Sequence, residues 1–523
     1  MSFLKNLLFL FIVASVIAGC KDNVVNPNKD LTLQDYESLD TSLYALNSHR
    51  IRENIAQLVK ADADSMQADF KTKSHYIVNG TFLWIDRHGL KSQVDTLVSY
   101  LQEVKEMGFS PKKFRVSQIE EDLRRARELD FDTAQNNINR VMARLEYNLT
   151  KAYLRYVTGQ RFGYMNPAYV FNRLDAMDGD SIHVRYRGLF AIPMEKPGKH
   201  FYSEALSKIA NDSVPLYLGE IQPKSKLYYK LKDMLKDAAT EEARAKILCN
   251  MERCRWRQSN YPQMHSKYVL VNIPSFHLVA VDGDFVLEMR VGCGTFATKT
   301  PLLTSEIMRM DVNPQWIIPH SIIKNTILNQ VGNRSYWARH HYFVREKNTG
   351  RIIPYDNITR EMLASGKYYV IQQGGKGNSL GRIIFRFKNS FSVFLHDTSQ
   401  PGVFNREDRG VSHGCVRVEK PFELACFMLE EKNEKLIEKI RYSMTAPLGG
   451  EDTTIPREER ERSQEGVEKL DRAMMIGSVN VKPKVPLFIT YYTLFPNKDG
   501  IIQNYADVYG YDREIFKVLK NYL

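Results

Sequence analysis

His396 to Arg417 reads HDTSQPGVFNREDRGVSHGCVR, and this stretch decides how the chain is read. Cys415 follows Gly414 directly, with His413 two residues before it. His396 lies 19 residues upstream of the cysteine, at the end of an apolar alternating run from Phe391 to Leu395. A thiol is a strong nucleophile only as thiolate, so it needs a base or a cation beside it. Two histidines converging on one cysteine supply that. Glycine lets backbone approach closely, so the N–H groups of Gly414 and Cys415 are placed to face a developing oxyanion.

The order of residues narrows the chemistry. Papain-like and NlpC-like cysteine peptidases run cysteine first and histidine later, whereas here the histidine leads by a short loop. The set His396, Ser412, His413, Gly414 and Cys415 resembles the signature of the YkuD-domain L,D-transpeptidases. That resemblance implies Cys415 as nucleophile and His396 as the base that takes its proton. It assigns Gly414 and Cys415 to the oxyanion, has His413 hold the loop or tune the imidazole, and makes Ser412 a brace for His396. The implied reaction attacks a tetrapeptide stem of peptidoglycan before its terminal D-alanine and passes the acyl group to a neighbouring stem as a 3→3 cross-link. Water as acceptor makes the same site an L,D-carboxypeptidase; a wall-binding lipoprotein without chemistry is the rival from another class. No cofactor or metal is implied, and carbapenem-type inhibitors are expected to acylate Cys415.

Composition sets the surroundings. Lys+Arg 73 against Asp+Glu 61 gives +12, spread along 523 residues, with no zinc-finger spacing or helix-turn-helix, so nucleic acid is not the expected partner. Lys5 and the apolar run Leu7 to Ile17 read as a signal peptide, too short for a comfortable span. Ile17-Ala18-Gly19-Cys20 resembles a bacterial lipobox, which implies lipidation at Cys20, a tether over 21–34, and a periplasmic lipid-anchored protein, outer membrane ahead of inner. Of the other cysteines, Cys249, Cys254, Cys293 and Cys426 are expected as buried thiols. Cys249 and Cys254, five apart on a helix, cannot face one another.

The fold class expected is α+β: a mainly α-helical scaffold over 35–262, then a mainly β catalytic domain over 263–445. Ile138, Val141, Leu145, Leu149 and Tyr153 recur at helical steps, with Asp132-Thr133 available as a cap. Gln93 to Met107 is a second amphipathic run, stopped by Gly108. Thr81 to Trp84, Gly108 to Pro111, Tyr153-Leu154 through Asn166-Pro167, and Asn250 to Arg253 before Trp256 resemble the scaffold of the YcbB-like branch of that family. A single short helical stretch between Tyr217 and Lys246 leaves no room for a three-helix peptidoglycan-binding module.

From Tyr268 the period becomes two: Val269, Val271 and Ile273 alternate, and Asp282-Gly283 offers a hairpin turn before Phe285 to Val291. Val271 to Pro274, Thr300-Pro301 and Asn313 to Trp316 resemble the first half of the YkuD domain. An excursion over about 325–385, rich in Tyr, His, Arg and Gly, interrupts it. The resemblance implies a substrate-capping subdomain whose aromatics, with Tyr336 and Trp337, cover the cleft beside Trp316. Arg417 stands where many relatives have Asn; its guanidinium suits a carboxylate on the stem, and a structural ion pair serves equally well. Residues 446–478 are expected as a charged insertion, and 479–523 as an extension returning a strand to the main body.

Overall fold

The computed structural model describes residues 46–523 except 79, 87–88, 178–183, 431–432, 457–458 and 460–469. The expected signal peptide, the expected lipidation at Cys20 and the expected tether fall outside the described residues, as does most of the charge-dense run after 456. The chain divides into two compact units.

The first unit, which takes in the chain up to Tyr164 with 196–239 and the last five residues, is helical. Its centre is the 25-residue helix Ile138–Phe162, and the expected stripe is its buried face: Ile138, Val141, Leu145, Leu149 and Tyr153 are each at most 1% exposed. The cap is Asn137, whose side chain accepts from Arg140 N–H; Asp132 instead closes its own turn by accepting from Ala134 and Asn136. A residue directly before the first turn reaches its orphan N–H groups, and Asp132 is too far upstream. The same helix buries charge. Lys151, 1% exposed, pairs with Asp62 and Asp64, and Arg155 pairs with Asp69 and Asp64. The run from Gln93 forms an α-helix to Gln102 and a tighter turn over Glu103–Met107, ended by Gly108 at φ 84. Lys226–Lys236 is the helix lying wholly between Tyr217 and Lys246.

The second unit spans 165–195 and 240–518, so the chain's β-rich part gathers segments from both sides of the expected 262 boundary. Strands β1 (Lys267–Asn272), β2 (His277–Asp282) and β3 (Phe285–Gly294) form the expected meander. The β2–β3 turn is two residues long, with Gly283 at φ 57. β4 (Leu302–Val312) follows. A separate sheet is then built from β5 (Trp316–Ile317), β6 (Tyr342–Glu346), β7 (Ile352–Ile353) and β8 (Tyr368–Gln372), in the order β5-β8-β6-β7. The chain returns through β9 (Ile383–Phe387), β10 (Leu395–His396), β11 (Gly410–Ser412), β12 (Val416–Val418) and the long β13 (Ser478–Thr490).

The main sheet runs β9-β10-β12-β3-β2-β1-β13-β4 and on to the short strand Phe190–Ala191, with β11 paired to β3; β4 also pairs back onto β9, so the strands from β9 to β4 close into a ring. Register defines an inward row, Val416–Leu395–Phe385–Met310–Val479, in which every residue is buried. The neighbouring row, Arg417–His396–Ile384–Asp311–Ser478, therefore points away from the interior. β13 is a central strand, parallel to β1 and antiparallel to β4. The catalytic fold thus draws on residues beyond 445.

The insert has its own core, with Ile323, Ile327, Trp337, Val344, Leu363 and Val370 buried together. It begins at Trp316 rather than 325, and Ile383 already belongs to the ring. Trp337, expected on the cleft, is 0% exposed, with its Nε1–H donating to Gln330 O at 2.8 Å. An indole is the largest apolar body available, and a small insert needs it as core.

Candidate active site

β10 and β12 lie side by side and parallel, with His396 paired to Arg417 and Leu395 to Val416. Val416 and Leu395 point into the ring, so His396, Arg417 and Cys415, two residues before Arg417, share the outer side. The motif residues thus meet because two short strands run parallel.

His396 is 4% exposed. Its Nδ1 lies within hydrogen-bonding distance of Asp397 O; a carbonyl only accepts, so Nδ1 carries the proton and Nε2 presents a lone pair. Burial pulls the imidazole down to about 4, and the Arg417 cation pushes in the same direction, against backbone hydrogen bonds at Asp397 and Leu380. The ring is neutral at neutral pH. Burial raises the Cys415 thiol above its ordinary value, opposed by a backbone hydrogen bond at Phe394 and by Arg417. Both groups are therefore neutral at neutral pH.

Arg417 itself is held below its ordinary value by burial. Its Nε is buried without a hydrogen-bond partner, and it forms no salt bridge among the described residues. Of the two expected uses for this guanidinium, an internal ion pair is not seen.

The turn carrying Cys415 is fixed by Ser412 and by groups whose part in it the sequence did not reveal. Ser412 Oγ donates to Cys415 O at 2.6 Å and accepts from Gly414 N–H at 3.0 Å. Ser412 thus braces the cysteine turn, not His396, because it lies within three residues of both its partners. The Gly414 N–H, expected at the oxyanion, is committed to that hydroxyl. Gly414 sits at φ 117, a conformation that side chains resist. Thr300 Oγ1 donates to Gly414 O at 2.9 Å and accepts from Gly294 N–H at 2.9 Å. Tyr509 OH accepts from Thr300 N–H and donates to Gly294 O. Thr298 Oγ1 donates to Ser412 O at 2.7 Å. The Thr300-Pro301 pair was visible in the sequence, but its hydroxyl had no local signal of use.

Other supports are similar. Asp397 carboxylate oxygens accept from Arg382 N–H and Thr398 N–H, both at 2.7 Å, which fixes the carbonyl that orients His396. Arg409 is buried and its guanidinium donates to Val291 O, Arg406 O and Phe276 O, tying the loop between the motif histidine and cysteine to β3. His413 is exposed, so it does not hold the loop from within. Trp316 and Tyr336 are half-buried in the insert, Tyr336 stacked near His340 with centroids 4.1 Å apart. None of the described cysteines forms a disulfide; Cys249 and Cys293 are buried as expected, whereas Cys254 and Cys426 are half-buried. Among the described residues no cluster of His, Cys, Asp and Glu fits a metal ion.

The β-ring thus presents a cysteine and an oriented neutral histidine on one face of adjacent strands. Residues 266–436 match the family model YkuD, the L,D-transpeptidase catalytic domain, and residues 71–235 match the Scaffold domain model. A Haemophilus influenzae protein named "Putative L,D-transpeptidase" is 28% identical over 327 residues, covering 61% of this chain and 60% of that protein. The chain is thus similar to the L,D-transpeptidase catalytic domain over 266–436 and to the scaffold domain over 71–235, and spans about 60% of that relative's length.

Proposed function

We propose that this protein is a peptidoglycan L,D-transpeptidase that forms 3→3 cross-links through a Cys415 thioester, anchored in the periplasm by lipid on Cys20. The observation that supports the reading is the β10–β12 pairing, which puts His396 and Cys415 on one face of adjacent strands inside the YkuD match, with Nδ1 of His396 donating to Asp397 O. The anchor rests on the Ile17–Cys20 sequence alone.

In the first half-reaction Cys415 Sγ attacks the carbonyl before the terminal D-alanine while His396 Nε2 takes the thiol proton. The Cys415 N–H is the donor aimed at the oxyanion, since Gly414 N–H is engaged. The C–N bond breaks, His396 returns the proton to the departing amine, and a thioester remains. An acceptor amine from a second stem attacks the thioester and gives a proton to His396. The C–S bond breaks, and the thiolate recovers that proton. Water in place of the amine yields the carboxypeptidase outcome.

Intact-mass spectrometry of the chain from residue 21 tests this, with a tetrapeptide muropeptide and separately a carbapenem. Adducts on Cys415 followed by muropeptide dimer are expected. Shortened monomer alone means a carboxypeptidase, and folded protein with a free thiol and no adduct overturns the reading.

A further inference from the structure

The insert sheet β5-β8-β6-β7 has two faces. Tyr342, Val344, Ile353, Tyr368 and Val370 take the inner one and pack into the insert's own core. Side chains alternate along a strand, so register puts Ile352, Arg345 and Tyr369 in one row of the opposite face. Phe343, Ile371 and Ile317 make the next row. A solvated sheet face is normally polar. Here only Arg345 is charged, and the other positions of the two rows are aliphatic or aromatic. Three of them lie open: Ile352 is 55% exposed, Ile317 54% and Tyr369 37%.

The charge on this face is of one sign. The Arg345 guanidinium lies over the Phe343 ring, 5.5 Å from its centroid, and the Lys347 ammonium lies over the Tyr369 ring at 4.9 Å. Neither cation forms a salt bridge among the described residues. Glu346, the carboxylate of β6, pairs in register with Tyr368 and so turns to the core side. Two cations thus stand among uncovered apolar groups with no carboxylate in their rows.

The insert is rooted beside His396. Val312, the last residue of β4, pairs with Ile383, and Asn313 N–H donates to Arg382 O at 2.7 Å, so the chain enters and leaves the insert side by side. Ile384, the next residue of β9, pairs with His396. The insert therefore stands at the His396 end of the ring, and a network substrate that reaches this end also meets the insert.

We propose that the outer face of the insert sheet binds the wall polymer itself, away from the reacting bond. The inference rests on the L,D-transpeptidase reading, which makes a peptidoglycan network the substrate. Such a polymer offers sugar ring faces and alanine methyl groups to Ile317, Ile352, Phe343 and Tyr369, and stem carboxylates to Arg345 and Lys347. Charge complementarity selects it over a neutral glycan.

Co-sedimentation of the full chain carrying Cys415→Ala with purified sacculi tests this. Arg345→Glu/Lys347→Glu and, separately, Ile352→Ser/Tyr369→Ser are compared in the same background. None of the four side chains is buried, so both variants keep the fold. Each pair is expected to lower retention about fivefold or more, and charge reversal also to flatten its dependence on salt. Unchanged retention in either variant, or a loss seen on phosphatidylglycerol vesicles and not on sacculi, overturns the wall-binding face. Acyl-enzyme formation from soluble tetrapeptide is read on the chain with Cys415 intact. Face-dependent retention without acyl-enzyme refutes transpeptidation and keeps the wall-binding face; acyl-enzyme without face-dependent retention does the reverse.

Discussion

His396 and Arg417 are direct partners across two parallel strands, so a half-buried arginine whose buried Nε has no hydrogen-bond partner stands beside the imidazole. The cation lowers both the imidazole and the Cys415 thiol. Replacing it by Arg417→Met is expected to move the acid limb of kcat/KM upward toward the ordinary histidine range. The same change makes Cys415 alkylation by iodoacetamide slower at a given pH. Rates measured against pH in both proteins check this, and an unmoved acid limb refutes it.

The wild-type acid limb follows from the His396 value. A base held at about 4 stays neutral well below the usual histidine range, so activity is expected to persist to pH 5 and fall near pH 4. The sign is fixed by burial, which disfavours the charged ring. A limb near 6.5 in pH–rate measurements contradicts the burial seen.

Cys415→Ala is expected to abolish turnover and carbapenem adducts, while Cys293→Ala keeps both. Cys293 is fully buried with its thiol pushed up to about 12, so it is not reactive. Its truncation leaves a small cavity, with a stability cost of about 1 kcal/mol in thermal unfolding.

Ser412→Ala and Thr300→Val remove the hydroxyls that hold the two sides of the Gly414 turn. Both are positioning residues in this reading. A fall in kcat of about tenfold or more with little change in KM is expected, with circular dichroism unchanged. Thr300→Ser should restore most of the rate, because it keeps the donor and acceptor.

Within the helical unit, Lys151→Met strips the Asp62 carboxylate of the nearer of its two cations, leaving Arg115 at 3.5 Å. Burial pushes the Asp62 carboxyl up, but the Lys151 and Tyr147 hydrogen bonds outweigh it and hold it below its ordinary value. The stabilisation from a depressed carboxylate is present above the unfolded value and is lost as pH falls through the folded one. Lys151→Met is expected to cost about 3–5 kcal/mol in denaturant unfolding at neutral pH, and less in acid where Asp62 protonates.

Much of the site was written in the sequence. Local patterns carried the β1–β3 meander, the Ile138–Tyr153 stripe and the pairing of His396 with Cys415 in one motif. Such features depend on residues a few positions apart, where period and turn chemistry are direct consequences of backbone geometry. The motif also singled out one thiol as the candidate, since only Cys415 has glycine and histidine set around it.

Tertiary structure decided what those groups touch. Gly414 N–H faces Ser412 because the turn folds tightly, and the carbonyl of Gly414 meets Thr300, 114 residues away. Tyr509 reaches Gly294 across 215 residues. β13 enters the middle of the ring from beyond the charged run, and Trp337 leaves the cleft for the insert's core. No periodicity links residues so distant; ring closure brings them together, and desolvation there sets the protonation of His396 and Cys415.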